Sequence, residues 1–187
     1  MEFVKTDFEG LYLIEHKLIE DNRGWFMRTF DLQIFHDEIP TPNKEWKQVN
    51  QSHNSKKGTF RGLHFQKPPF GETKLIRCIS GSVIDFALDL RKDSKTFLKV
   101  FKVELSAENK KTLLLPKGFA HGFYTLQDNS DLLYFHDEFY NPEFDSGIYF
   151  LDPLIIDKID ISPLIISEKD LNYIKLNKEF KGIQNEL

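Results

Sequence analysis

Residues 58–66 read GTFRGLHFQ and set Arg61 and His64 three apart within a run of aromatic and β-favouring residues. An imidazole titrates near neutrality, so His64 can take or give a proton under ordinary conditions. Strict alternation puts Phe60, Gly62, His64 and Gln66 on one strand face and Thr59, Arg61, Leu63 and Phe65 on the other. Gly62 in a strand interior marks a bulge or a close approach of backbone, which leaves the facing of Arg61 open. From these nine residues alone, an edge strand with a surface arginine and a hydrogen-bonded histidine is the more frequent outcome. A carboxylate in SVIDFALDLR and a tyrosine in LLYFHDEFY are further candidates. Asp85 shares a face with Val83, Ala87 and Asp89, opposite an apolar face of Ile84, Phe86, Leu88 and Leu90. That pattern fits a partly polar cavity and a solvated face equally well. For Tyr134, a core tyrosine with a satisfied hydroxyl is the more frequent case.

Other chemistries find no support. The chain has no Gly-rich phosphate loop, CxxC pair, HExxH helix or GxSxG elbow. Six histidines could include metal ligands, but the position two after His64 holds Gln66, which favours a metal-free site.

The elements that must position these groups are mostly strands. Residues 10–19 read as extended, 21–24 as a turn and 31–39 as a helix, followed by a loop over 41–46. Strands are expected over 46–55, 59–66, 73–80, 82–91, 97–105, 111–116, 121–127 and 132–140. Their spacing is that of a β-sandwich or barrel. The tail has Ser167 as an N-cap and acidic residues in its first turn, which predicts a short helix.

At 187 residues the chain is expected to form a single domain with a substantial core. A net charge of −4 gives no general attraction to nucleic acid. The lone Cys78 cannot make an internal disulfide and fits a reducing compartment. MEFVKTDFEG has no basic segment followed by an apolar one, and no apolar run is long enough to span a membrane. A cytoplasmic protein is expected.

Taken together, RGLHFQ (61–66), KLIRCISGSVIDFALDLRKDS (74–94), LLLPKGFAHGF (113–123), LLYFHDEFY (132–140) and SEKD (167–170) closely resemble dTDP-4-dehydrorhamnose 3,5-epimerases. The likeness runs from DNRGWF (21–26) to SEKD in the family's order. It implies an all-β double-stranded β-helix, a cupin jelly roll with short helical decorations. It also implies a homodimer exchanging N-terminal strands and a reaction on a nucleotide-linked 4-keto-6-deoxyhexose, with no metal or organic cofactor. The product would supply dTDP-rhamnose for a surface polysaccharide such as O-antigen.

The resemblance also implies roles, residue by residue. His64 corresponds to the base that removes a proton beside the C4 ketone, and Asp170 to the carboxylate holding its imidazole. Lys74 corresponds to the cation at the keto oxygen, where enolate charge develops. Tyr134 corresponds to the acid on the opposite face. His121 and Asp85 correspond to a pair lining the sugar pocket, and Arg61 to a diphosphate ligand. Arg23, Phe26, Arg28, Gln48, Asn50, Tyr140 and Lys169 correspond to further substrate-binding positions. Three features depart from the pattern. Arg28 stands where relatives carry a glutamate, and a guanidinium donates where a carboxylate would accept from a thymine edge. FHDEF (135–139) replaces a lysine- and threonine-containing version, and Asp160-Ile161-Ser162 replaces DWP before SEKD. Inversion at C3 or C5 alone, 3,4-ketoisomerisation, or non-catalytic binding of a nucleotide sugar are the competing readings. A metal-dependent oxygenase is disfavoured by Gln66.

Overall fold

The computed structural model describes residues 1–39 and 45–184. Its strands in chain order are β1 (Glu2–Lys5), β2 (Tyr12–Glu15), β3 (Ile19–Asp21), β4 (Gly24–Phe26), β5 (Gln48–Asn54) and β6 (Phe60–Gln66). They continue with β7 (Lys74–Ser80), β8 (Ser82–Asp89), β9 (Val100–Ser106), β10 (Thr112–Leu115), β11 (Phe119–Thr125), β12 (Ser130–His136) and β13 (Asp145–Gly147). Two short helices, α1 (Leu32–Glu38) and α2 (Glu168–Leu171), begin at Asp31 and Ser167, whose side chains accept backbone N–H groups as N-caps.

The strands form two antiparallel sheets and a separate hairpin. The larger sheet has the order β1-β2-β10-β7-β12-β5 and the smaller β13-β6-β11-β8-β9, while among the described residues β3 and β4 pair only with each other. The inner faces pack together through Ile76, Cys78, Leu113 and Leu132 on one side and Val83, Ala87, Phe119 and Phe123 on the other. Outside the smaller sheet, Phe60, Leu63, Phe65, Phe86, Leu88 and Leu90 are covered by the C-terminal segment through Ile148, Phe150, Ile155 and Ile159. Both faces of β8 are therefore buried, and the doubt over the Asp85 face resolves: it looks into the sandwich. Outside the larger sheet, α1 lays Phe35 over Ile14, Leu75 and Leu114, with Phe30, Trp46 and Phe135 alongside.

The expected strands are present with adjusted ends. The one expected over 97–105 starts at Val100, because Leu98 takes a left-handed φ of 57° and Asp89 gathers Arg91, Ser94 and Thr96 into a tight loop. The strand expected over 132–140 ends at His136. There Asp137 turns aside to exchange hydrogen bonds with Thr73, its side chain accepting from the Thr73 N–H. Glu138 and Tyr140 therefore do not continue the face of Tyr134 and His136. The strand expected over 121–127 begins earlier, at Phe119. Part of the 41–46 loop and the last three residues of the tail lie outside the described residues.

Candidate active site

The pocket is shaped by a fault in β6. His64 pairs with His121 on β11 and Arg61 with Phe123, so three steps on β6 match two on β11. The extra residue lies at Gly62, whose φ is +134°. A Cβ there would sit 2.5 Å from the Gly122 Cα, and one on Gly122 would sit 2.8 Å from the Arg61 carbonyl. Only glycine fits both positions. The bulge shifts the alternation: Phe60, Leu63 and Phe65 pack outward in one cluster. The strict-alternation assignment of Phe60 to the face of His64 is thereby corrected. Arg61 points toward the same side as His64.

His64 is fixed from the C-terminal segment. The Thr59↔Ile165 bridge and the Phe60 N–H to Ile165 carbonyl bond tie residues 164–166 to the start of β6. The changed sequence before SEKD therefore still brings α2 alongside His64. Asp170 Oδ1 lies 2.7 Å from His64 Nε2, and Oδ2 accepts from the Gly62 N–H at 3.2 Å. Burial pushes the Asp170 carboxyl upward, but His64, the Gly62 N–H and Ser167 together hold it below the usual range. With Nε2 engaged, Nδ1 has no hydrogen-bond partner among the described residues, and the His64 side chain keeps 36% of its surface open.

The opposite wall comes from the larger sheet. β12 places Leu132, Tyr134 and His136 inward, paired with Ser52, Asn50 and Gln48 on β5. The Tyr134 hydroxyl shares a 2.9 Å hydrogen bond with Ser52 Oγ. Burial, with help from the charges of Asp85 and Cys78, pushes its pKa well above that of a free phenol, against the opposing effects of Ser52 and Arg61. The phenol therefore stays protonated and able to donate. His121 stands between the walls: it faces His64 across the β6–β11 ladder, and its ring lies 6.3 Å from that of Tyr134. Its Nε2 lies 2.8 Å from Asp85 Oδ2, while Asp85 Oδ1 is buried without a hydrogen-bond partner among the described residues. Burial raises the Asp85 pKa against the pull of His121 and Lys74. Lys74 is buried beside Glu72 at 2.9 Å, and Glu72 also reaches His136 at 2.7 Å.

Polar groups ring the mouth. Arg61 Nε donates to Asn54 Oδ1 at 2.8 Å. Gln48 Oε1 accepts from the Tyr140 N–H, the Tyr140 hydroxyl donates to Asp145 at 3.3 Å, and Lys169 pairs with the same carboxylate. Asp145 raises the Lys169 pKa through that hydrogen bond, against a desolvation cost. Thus His64, Asp170, Lys74, Tyr134, His121, Asp85, Arg61, Gln48, Asn50, Tyr140 and Lys169 belong to one region. Arg23, Phe26 and Arg28 do not join it within this chain. Arg23 is paired with Asp21 on the exposed hairpin, Phe26 is 62% exposed, and Arg28 pairs with Asp31. Three neighbours escaped the sequence reading: Ser52, Glu72 and Tyr173, whose ring meets His64 edge-on at 5.4 Å. Ser52 stands two residues from Asn50 on β5, a spacing that could have pointed to it, whereas Glu72 precedes β7 and shares no strand face with Lys74. Tyr173 gives no such signal.

A jelly roll with a carboxylate-held histidine on one wall and a protonated tyrosine on the other defines a cupin-type protein equipped for proton transfer. Comparison with known proteins makes the assignment specific. The family model described as dTDP-4-dehydrorhamnose 3,5-epimerase matches residues 5–178, and the chain belongs to that family. It is 42% identical over 182 residues to the dTDP-4-dehydrorhamnose 3,5-epimerase of Methanothermobacter thermautotrophicus, covering 94% of this chain and 95% of the relative. The crystal structure of the dTDP-4-dehydrorhamnose 3,5-epimerase of Elizabethkingia anophelis NUHP1 superposes with TM-score 0.89 at 38% identity, covering 96% and 98% of the two chains. A dTDP-6-deoxy-D-glucose-3,5-epimerase from Legionella pneumophila Philadelphia 1, in complex with dTDP-4-keto-L-rhamnose, matches at TM-score 0.89 and 32% identity, covering 98% of each.

Proposed function

We infer that the protein is an isomerase that inverts C3 and C5 of dTDP-4-dehydro-6-deoxyglucose to give dTDP-4-dehydrorhamnose. The C–H bonds beside the C4 ketone are acidic because the carbanion delocalises as an enolate. In this reading His64 Nδ1 takes the proton, and the resulting imidazolium is stabilised by Asp170 on Nε2. Lys74 offsets the enolate charge, and Tyr134 returns a proton from the other face, inverting the centre. His121 and Asp85 line the sugar pocket, while Arg61 and Lys169 take the diphosphate. Gln48, Asn50 and Tyr140 contact the remainder of the nucleotide sugar. The observation that carries the reading is the His64–Asp170 hydrogen bond on the wall opposite the hydroxyl of a partly buried Tyr134.

Arg23, Phe26 and Arg28 are assigned to the pocket of a second copy. The β3–β4 hairpin pairs with no other described strand and leaves Ile19, Trp25 and Phe26 exposed, which supports exchange of this N-terminal region in a homodimer. Residues 1–187 are taken as one catalytic domain working in the cytoplasm; no described helix is long and apolar enough to cross a membrane.

Incubation with dTDP-4-keto-6-deoxyglucose in deuterated water, with deuterium located by NMR, tests the reaction. Incorporation at both C3 and C5 is expected without added metal. Incorporation at one carbon alone would replace this reading with that of a mono-epimerase.

A further inference from the structure

The Glu72–Lys74–His136 cluster lies beside the groups that carry the reaction, and it contains two residues to which the mechanism assigns no task. Lys74 and His136 face each other across the β7–β12 ladder. Glu72 spans them, placing Oε1 2.9 Å from Lys74 Nζ and Oε2 2.7 Å from His136 Nδ1. All three side chains are close to nine-tenths buried. Burial works against the Glu72 charge, yet Lys74 and His136 outweigh it and hold the carboxyl down at about 2. The backbone beneath is laced to the facing strand end, since Thr73 exchanges hydrogen bonds with Asp137. The carboxylate is therefore held at its stem and at both oxygens.

Lys74 also lies within electrostatic reach of a second carboxyl group. Its charge acts on Asp85, which is fully buried and keeps Oδ1 without a partner among the described residues.

We propose that Glu72, braced by His136, is a positioning residue that holds the Lys74 ammonium ion at the pocket wall. The proposal rests on the reading of Lys74 as the cation at the keto oxygen. Glu72 touches no reacting atom and acts through Lys74, so its loss weakens the transition state more than the binding of the nucleotide. The brace matters because a carboxylate with one free oxygen can rotate and carry the lysine with it.

Steady-state kinetics on Glu72→Gln, Lys74→Met and the double variant, with dTDP-4-keto-6-deoxyglucose as substrate, test this. Glu72→Gln is expected to lower kcat about tenfold, equivalent to ~1.4 kcal/mol, with KM within about twofold of wild type. Lys74→Met should lose more, and the double variant should match Lys74→Met, because nothing remains to position. Losses that multiply in the double variant, or a Glu72→Gln enzyme with wild-type kcat, overturn the proposal alone. A Lys74→Met enzyme with wild-type kcat overturns the reading of Lys74 and the proposal with it. Should Glu72→Gln fail to fold, His136→Gln keeps the Glu72–Lys74 pair and removes only the brace. A kcat loss of a few-fold at unchanged KM is then expected, and an unchanged kcat overturns the proposal.

Discussion

The pocket contains two histidine–aspartate pairs, and their bonds are nearly the same length. His64 meets Asp170 at 2.7 Å and His121 meets Asp85 at 2.8 Å. Both carboxylates are almost fully enclosed, but the pairs differ in histidine exposure, in hydrogen bonding and in the direction of the carboxyl shift. His64 keeps 36% of its side chain open and His121 only 7%. Asp170 receives a second bond from the Gly62 N–H and is held below the usual carboxylate range. Asp85 keeps one oxygen unpartnered among the described residues, and burial raises its pKa. A histidine–carboxylate bond does not by itself make a base. The pair suited to proton abstraction has a fully satisfied carboxylate and a ring nitrogen facing open space.

Replacing the histidines one at a time should separate the pairs most widely. His64→Ala is expected to cut epimerisation by ~10²–10⁴-fold, the usual contribution of a general base. His121→Ala should cost less, because the ring lines the pocket without taking the proton. Turnover assays check the order, and an equal or larger loss at His121 would reverse the assignment.

The carboxylates give the next contrast. Asp170→Asn keeps the shape but puts an N–H or a neutral oxygen opposite Nε2, which undoes the imidazole's orientation and the support of its charged form. A kcat loss of roughly tenfold or more is expected, within the range for general acid–base groups. Asp85→Asn should cost less than Asp170→Asn in the same assay.

Their stability effects should run in opposite directions with pH. Asp170 titrates lower in the folded than in the unfolded chain, so its contribution is present above the unfolded value of ~3.9 and is lost as pH falls through the folded one. Asp85 titrates higher when folded, so its ionisation weakens the fold as pH rises above ~3.9. In melting curves, Asp170→Asn should therefore be less stable than wild type at neutral pH, the gap closing in acid. Asp85→Asn should be as stable as wild type or more so at neutral pH, losing that advantage in acid. Parallel pH profiles for the two variants would contradict the difference drawn between the carboxylates.

Much of this was legible from residue order, for identifiable reasons. Period-2 alternation located the strands that carry His64, Lys74, Asp85 and Tyr134, and Ser167 marked the helix that delivers Asp170. The interior glycine of RGLHFQ announced a bulge, but alternation could not say that the bulge would turn Arg61 to the side of His64. That required the close approach of Gly62 and Gly122, a contact between residues 60 apart in the chain. The early end of β12 was hidden for a similar reason, since it depends on Thr73 binding Asp137. Glu72 gained its place only when β7 and β12 paired His136 with Lys74. Arg23, Phe26 and Arg28 matched the family by sequence, yet in this chain they lie on or near an exposed hairpin.

His64 and Tyr134 are assigned to opposite faces of the sugar, and Tyr134→Phe in deuterated water isolates that division. His64 can still remove the proton, and its open ring can exchange with solvent before returning deuterium to the same face. NMR of the recovered dTDP-4-keto-6-deoxyglucose should therefore show deuterium beside the ketone in uninverted sugar, with product formation strongly slowed. Recovered sugar without deuterium, or inversion at the wild-type rate, would contradict the account.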